Sequence, residues 1–133
     1  MLCSPSTDCA QGQTSAGVAI FARRTVGLRW PDGLARGAAV PYRLLSTMVD
    51  LPGWPPLLVG SAYLYTGEGL SQRNLHILKM AEQVMEGAHL ALLGADWNFG
   101  SACLEMSGMP RKAGMLIVYF FQKCEVTVGY SRI

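Results

Sequence analysis

The sequence predicts an α/β domain in which a mixed, mostly antiparallel sheet carries at least one packed helix. Two observations support this. Strand-sized apolar runs at Tyr42 to Leu51 and Leu57 to Tyr65 flank Pro52-Gly53-Trp54-Pro55-Pro56, the pattern of sequential antiparallel pairing. A helical stretch from Ser71 to about Gly87 then leads into a further apolar run, His89 to Leu93, so that strand, helix and strand succeed one another as in a crossover unit. The composition permits such a fold: 50% of the 133 residues are hydrophobic and 15% are charged, enough for one packed core.

Taken in order, Met1 to Ser15 is rich in Ser, Thr, Gln and Gly without periodicity and reads as a disordered leader, residues 1–15. The domain is expected over residues 16–133. Ala16 to Ala22 is short, apolar and followed by Arg23-Arg24, a buried strand emerging into solvent, with Val26 to Trp30 as its hairpin partner. Pro31-Asp32-Gly33 signals a turn, and the stretch from there to Pro41 reads as loop. Ser71 is placed to cap the helix, whose apolar face is expected to run through Leu75, Leu78, Ala81, Met85 and Ala88. Met115 to Phe121 and Glu125 to Gly129 form the last strand pair.

Several function classes are disfavoured. A net charge of +2 with a pI near 8.4 is too mild to identify a nucleic-acid partner by itself. Cys3, Cys9, Cys103 and Cys124 show no CxxC spacing and stand far from His76 and His89, which argues against structural zinc. The first residues lack the basic segment and apolar stretch of a signal peptide, and no apolar run reaches the roughly 20 residues of a membrane span. Free thiols and an intracellular location, nuclear or cytoplasmic, are therefore expected, with no membrane partner. Met80, Met85 and Met106 read as core filling. Arg23-Arg24 and Arg111-Lys112 read as solvated surface, and neither histidine has an acidic partner at dyad spacing.

Gly94-Ala95-Asp96-Trp97-Asn98 closes an apolar strand and sets a carboxylate and a carboxamide two residues apart at the lip of the sheet. In phosphodiester hydrolysis an ionised Asp can orient and deprotonate water, and an Asn can donate to phosphoryl oxygens that gain charge in the transition state. A turn in which Asp96 and Asn98 bond only the local backbone uses the same residues.

The wider pattern resembles the endonuclease/exonuclease/phosphatase superfamily with its deoxyribonuclease-I-like fold. Gly94-Ala95-Asp96-Trp97-Asn98 is similar to that family's Gly-Gly-Asp-Phe-Asn, Gly17-Val18-Ala19-Ile20-Phe21 to its Gly-Gly-Val-Ala-Ile strand, and Ser61-Ala62-Tyr63-Leu64-Tyr65 to its Asn-Val-Tyr strand. The stretch Tyr63 to Leu75, with Gly67-Glu68-Gly69-Leu70-Ser71 and Arg73-Asn74-Leu75, looks most like retroelement-type endonuclease domains. The resemblance implies an α-β-β-α sandwich, Mg2+-dependent cleavage of a phosphodiester in DNA, and a site that includes Asp96, Asn98, Tyr63 and Thr66. An alternative alignment uses Tyr65 in place of Tyr63.

The resemblance also implies a metal-binding Glu before Ala16 and a late Asp-His pair after the final strand, neither of which stands at the expected place. Which residues would hold a metal is therefore open. Glu68, between flanking glycines, reads as a solvated loop carboxylate rather than a metal ligand. The chain is accordingly expected to be a partial domain, inactive as it stands, since Asp96 and Asn98 alone lack the Lewis acid and base that supply most of the rate. The rival expectations are a noncatalytic fragment that binds protein or nucleic acid through edge strands or the Trp54 and Trp97 loops, and a phosphatase of the same superfamily.

Overall fold

The computed structural model describes the backbone of residues 2–4, 7–8, 14–15, 17–31, 38–112, 114, 116–119 and 126–131, and the side chains of 17–31, 40–112 and 114. The strands are β1 (Leu2–Ser4), β2 (Thr7–Asp8), β3 (Thr14–Ser15), β4 (Val18–Ile20), β5 (Gly27–Arg29), β6 (Ala38–Val40), β7 (Leu44–Asp50) and β8 (Leu57–Tyr63). Helix α1 (Gln72–Met85) leads into β9 (Leu90–Asp96), after which come α2 (Ser101–Ser107), α3 (Met109–Lys112), β10 (Leu116–Tyr119) and β11 (Val126–Ser131).

The main sheet runs β10-β11-β9-β8-β7-β5, with β6 also on β7. All its neighbours are antiparallel except β8 and β9, which α1 joins as a parallel pair. Parallel strands need such a crossover, because a hairpin turn returns the chain antiparallel. The strand pair β7 and β8 and the β8-α1-β9 unit match the sequence expectation. Two details differ. The segment 26–30 yields β5, which pairs with β7 rather than with β4, its Gly27 opposite Asp50. Part of the stretch expected as loop before Pro41 is the short strand β6. Asp32-Gly33 lies outside the described residues.

Within the aperiodic first 15 residues, Leu2–Ser4 is strand, antiparallel to β4 with Leu2 opposite Ile20. This β1-β4 ribbon belongs to a second, smaller sheet layer. Val18 and Ile20 on β4 pack with Leu45, Val59 and Tyr63, which occupy one face of the main sheet. Helix α1 covers the other, where Leu44, Leu58, Ala62, Leu64, Ala91 and Leu93 meet Ile77, Leu78, Ala81, Val84 and Met85. Period-two alternation thus serves two cores from the same strands. The layers are helix, main sheet and small sheet.

The buried face of α1 is Asn74, Ile77, Leu78, Ala81, Val84 and Met85. It is rotated from the expected stripe: Leu75 is 41% exposed. The rotated face spares a single leucine and gains Ile77 and Val84, so more apolar area leaves water. Ser71 caps the helix as expected, its Oγ accepting from the Asn74 N–H at 3.3 Å. Met106 also departs from expectation. It is 78% exposed on the outer side of α2, whereas Met85 is fully buried.

Two contacts set how α1 sits. Gly60 is buried under the helix, where an added Cβ would lie 2.6 Å from Met85 Cε and 2.7 Å from Leu93 Cδ1. Asn74 is completely buried and acts as a polar latch. Its Oδ1 accepts from the Tyr65 N–H at 2.8 Å, while its Nδ2 donates to the carbonyls of Tyr65 at 3.1 Å and Gly69 at 2.8 Å. The loop after β8 is thereby fixed to the first turn of α1 although it has no strand to pair with.

Gly60→Val is expected to lower stability by about 1–3 kcal/mol, the usual cost of overpacking a core, read as a reduced urea midpoint at unchanged slope. Asn74→Ala removes three hydrogen bonds to part-buried backbone groups, at about 0.5–1.5 kcal/mol each, and empties a fully buried position, so it should be the more damaging of the two. Equal midpoints for Asn74→Ala and the wild type would show that water replaces the latch.

Candidate functional site

The parallel register sets Tyr63 opposite Asp96 at the carboxyl ends of β8 and β9. Register partners in a sheet share a face, so Asp96 stands on the Tyr63 side, away from α1. Its alternation partners on β9 are Leu90, Leu92 and Gly94. Asp96 itself is exposed and Tyr63 is half-buried.

Each residue after Asp96 does something different. Trp97 turns to the helix face and is 2% exposed in the main core, with Leu104 of α2 and Met109 of α3 buried in the same cluster. Phe99 follows, its ring centroid 6.4 Å from that of Trp97. Asn98 sits between them with φ of 53°, in the left-handed region that Asn tolerates better than most residues. Its N–H donates to Asp96 Oδ1 at 3.2 Å, closing an Asx-type turn. Its Nδ2 donates to the Leu64 carbonyl at 2.7 Å, and the Leu64 N–H donates to the Asp96 carbonyl at 3.0 Å. Both the local turn and a cross-loop bond are therefore present, and one amide hydrogen of Asn98 is committed to backbone.

Of the four residues singled out by sequence, Tyr63, Asp96 and Asn98 come together at this lip. Thr66 lies in the exposed turn just beyond Tyr65. The two tyrosines are now distinguished by position. Tyr63 shares the Asp96 face, whereas Tyr65 has left the strand and is tied through its backbone to Asn74. Glu68 joins the cap of α1, accepting from Ser71 Oγ at 2.8 Å and pairing with Arg73. Trp97, expected in an exposed interaction loop, is instead a core anchor; Trp54 is 69% exposed.

Arg43 was not visible as a site residue. It precedes β7, is 7% exposed, and its Cζ lies 3.8 Å from the Tyr65 ring centroid and 5.2 Å from that of Tyr63. Arg73 approaches the same Tyr65 ring at 4.2 Å. Cation–π attraction of about 0.5–2 kcal/mol per contact favours this stack. The two guanidinium carbons are no more than 8.0 Å apart, since both lie so near one centroid. At that separation or less, an effective dielectric constant near 20 gives a repulsion of at least about 2 kcal/mol, which solvent around the exposed Arg73 and its pairing with Glu68 reduce. A lone Arg heading an apolar run was the only signal in the sequence, and it is a weak one.

The carboxylates do not build a cation site. Among the described residues no group of three or more His, Cys, Asp and Glu side chains could hold a metal ion. Asp96 is a single exposed carboxylate, and Glu68 is occupied by Ser71 and Arg73. The described residues therefore present no preformed multi-carboxylate site for Mg2+. Cys103 is a free thiol; the other three cysteine side chains lie outside the described residues. His76 is exposed on α1, and His89 lies at the opposite pole beside Gly87 and Ala88. No helix among the described residues is long and apolar enough to cross a membrane.

No protein-family profile and no curated protein sequence matches the chain. Among solved structures it is similar to the endonuclease domain of TRAS1, a telomere-specific non-LTR retrotransposon, with a TM-score of 0.61 at 15% identity. The likeness covers 95% of this chain and 65% of that domain. The chain thus spans less than two thirds of the structure it matches, and what the two share is the deoxyribonuclease-I-like fold.

Proposed function

We propose that this chain is a nuclease-type domain of the retroelement kind whose Tyr63, Asp96 and Asn98 lip receives a phosphodiester of DNA. The observation that carries the reading is the parallel register that stands Tyr63 beside Asp96 and lets Asn98 bond back to Leu64. The overall likeness to a retrotransposon endonuclease domain supports it. In this reading Asp96 orients water, the remaining amide hydrogen of Asn98 donates to a phosphoryl oxygen, and Tyr63 and Thr66 border the phosphate. The ancestral reaction is Mg2+-dependent hydrolysis.

Binding outruns hydrolysis in this chain. Among the described residues the lip offers a single exposed carboxylate with its partner amide half committed, which gives orientation without the positive charge that stabilises the phosphoryl oxygens in the transition state. The purified chain is therefore expected to bind a DNA oligomer and, with magnesium, to nick supercoiled plasmid no faster than its Asp96→Ala variant. Nicking by the wild type that disappears in Asp96→Ala would make it a working nuclease and overturn the view that it is inactive. Absence of DNA binding at low salt would remove the nucleic-acid assignment altogether.

A further inference from the structure

Beside the lip, on the helix side of Tyr65, lies an open groove of about 270 Å³ lined by Val40, Tyr65, Gln72, Arg73, His76 and Ile77. Pockets that bury a whole small ligand usually hold about 300–1,000 Å³, so this one suits a single group on a longer molecule. Its polar wall is the first turn of α1, which carries no acidic residue. Arg73 is the cation on that wall. Its side chain is 63% exposed and two of its donors are engaged by Glu68, leaving three of the five N–H groups of a guanidinium for another acceptor. Behind it, buried Arg43 and the ring of Tyr65 form a stack that limits where the Arg73 head can go. The Asn74 bonds to Tyr65 and Gly69 fix the floor of the same loop.

The chain links this groove directly to the lip. Tyr65 follows Leu64, whose backbone is bonded on both sides, to the Asp96 carbonyl and to Asn98 Nδ2. A strand whose one phosphate meets Tyr63 and Asp96 would reach the groove by crossing the carboxyl end of β8 at Leu64 and Tyr65. We propose that the groove receives a neighbouring phosphate of the same DNA strand, with Arg73 as its charged donor and Arg43 as a positioning residue that acts through Tyr65. Glu68 competes with that phosphate for Arg73, so the site is set for weak, readily exchanged binding. The inference rests on the DNA reading of the lip and adds to it a second contact point and a residue that tunes affinity.

The test uses the full chain and a fluorescein-labelled DNA oligomer in an anisotropy titration over a range of salt concentrations. Arg73→Gln keeps a helix-compatible side chain without charge and should weaken binding by about tenfold at low salt, and reduce the slope of log affinity against log salt by roughly 0.7–0.9, the share of one phosphate contact. Glu68→Gln removes the competitor and should tighten binding. Unchanged affinity and slope in Arg73→Gln, with wild-type binding intact, would overturn the groove as a subsite and leave the lip reading standing. The same holds if Glu68→Gln weakens binding while its helix content matches wild type. Wild-type chain that fails to bind DNA at any salt concentration would overturn both.

Discussion

The parallel pairing of β8 with β9 is the constraint on which the rest of the molecule depends. It is the one parallel contact among the described strands of the main sheet, and it exists because α1 carries the chain back across the sheet to start β9 beside the beginning of β8. From Leu57 opposite Leu90 to Tyr63 opposite Asp96 the register is unbroken. A slip of one residue would exchange the two faces of β9, driving Leu93 out of the helix-side core and Asp96 into it. Burying an unpaired carboxylate costs several kcal/mol or forces it to take up a proton, so the core and the lip enforce one register together.

The motif at the end of β9 owes its density to the same alternation. Asp96 faces outward, Trp97 inward, and Asn98 closes the turn between them. An aromatic at the middle position is thus explained by packing: it anchors α2 and α3 against the sheet end. The positive φ at Asn98 is held by two hydrogen bonds, which offset the strain of the left-handed conformation. The structural demand on that side chain limits how freely Asn98 could serve a ligand.

What was legible in the sequence follows from what has a period. β7, β8, α1 and β9 read correctly because their apolar residues recur at spacings that a sheet or a helix imposes. The exact face of α1 did not, because Leu75 and Ile77 are equally apolar and only the tertiary fit, with Asn74 buried as a latch, decides between them. The short α2 and α3 escaped notice: seven and four residues are too few to show a helical period, and their order comes from packing on Trp97 and from the left-handed Gly108 that ends α2. The position of Asp96 and Asn98 at a strand end could be read from residue order. The approach of Arg43 to Tyr63 and Tyr65 could not, since it joins β7 to the end of β8 through space.

The two faces of the sheet are unequally covered among the described residues, and this bears on what the lip can do. On the helix side, Ala91 and Leu93 of β9 are closed off by α1. On the Asp96 side, Val18 and Ile20 reach Leu45, Val59 and Tyr63, but Leu92 of β9 remains 38% exposed and Asp96 stands in solvent. Electrostatic stabilisation of a transition state grows as water is excluded, because the effective dielectric constant falls from about 80 toward 20 or less. A carboxylate on the wet side of a half-covered sheet has little of that advantage. Phosphate recognition by arginine survives solvent exposure far better, since counterion release from DNA drives it in bulk water. If the proposed DNA reading holds, the exposed Arg73 beside Tyr65 is better placed to act than the carboxylate at the lip, and holding a phosphodiester would be favoured over breaking it.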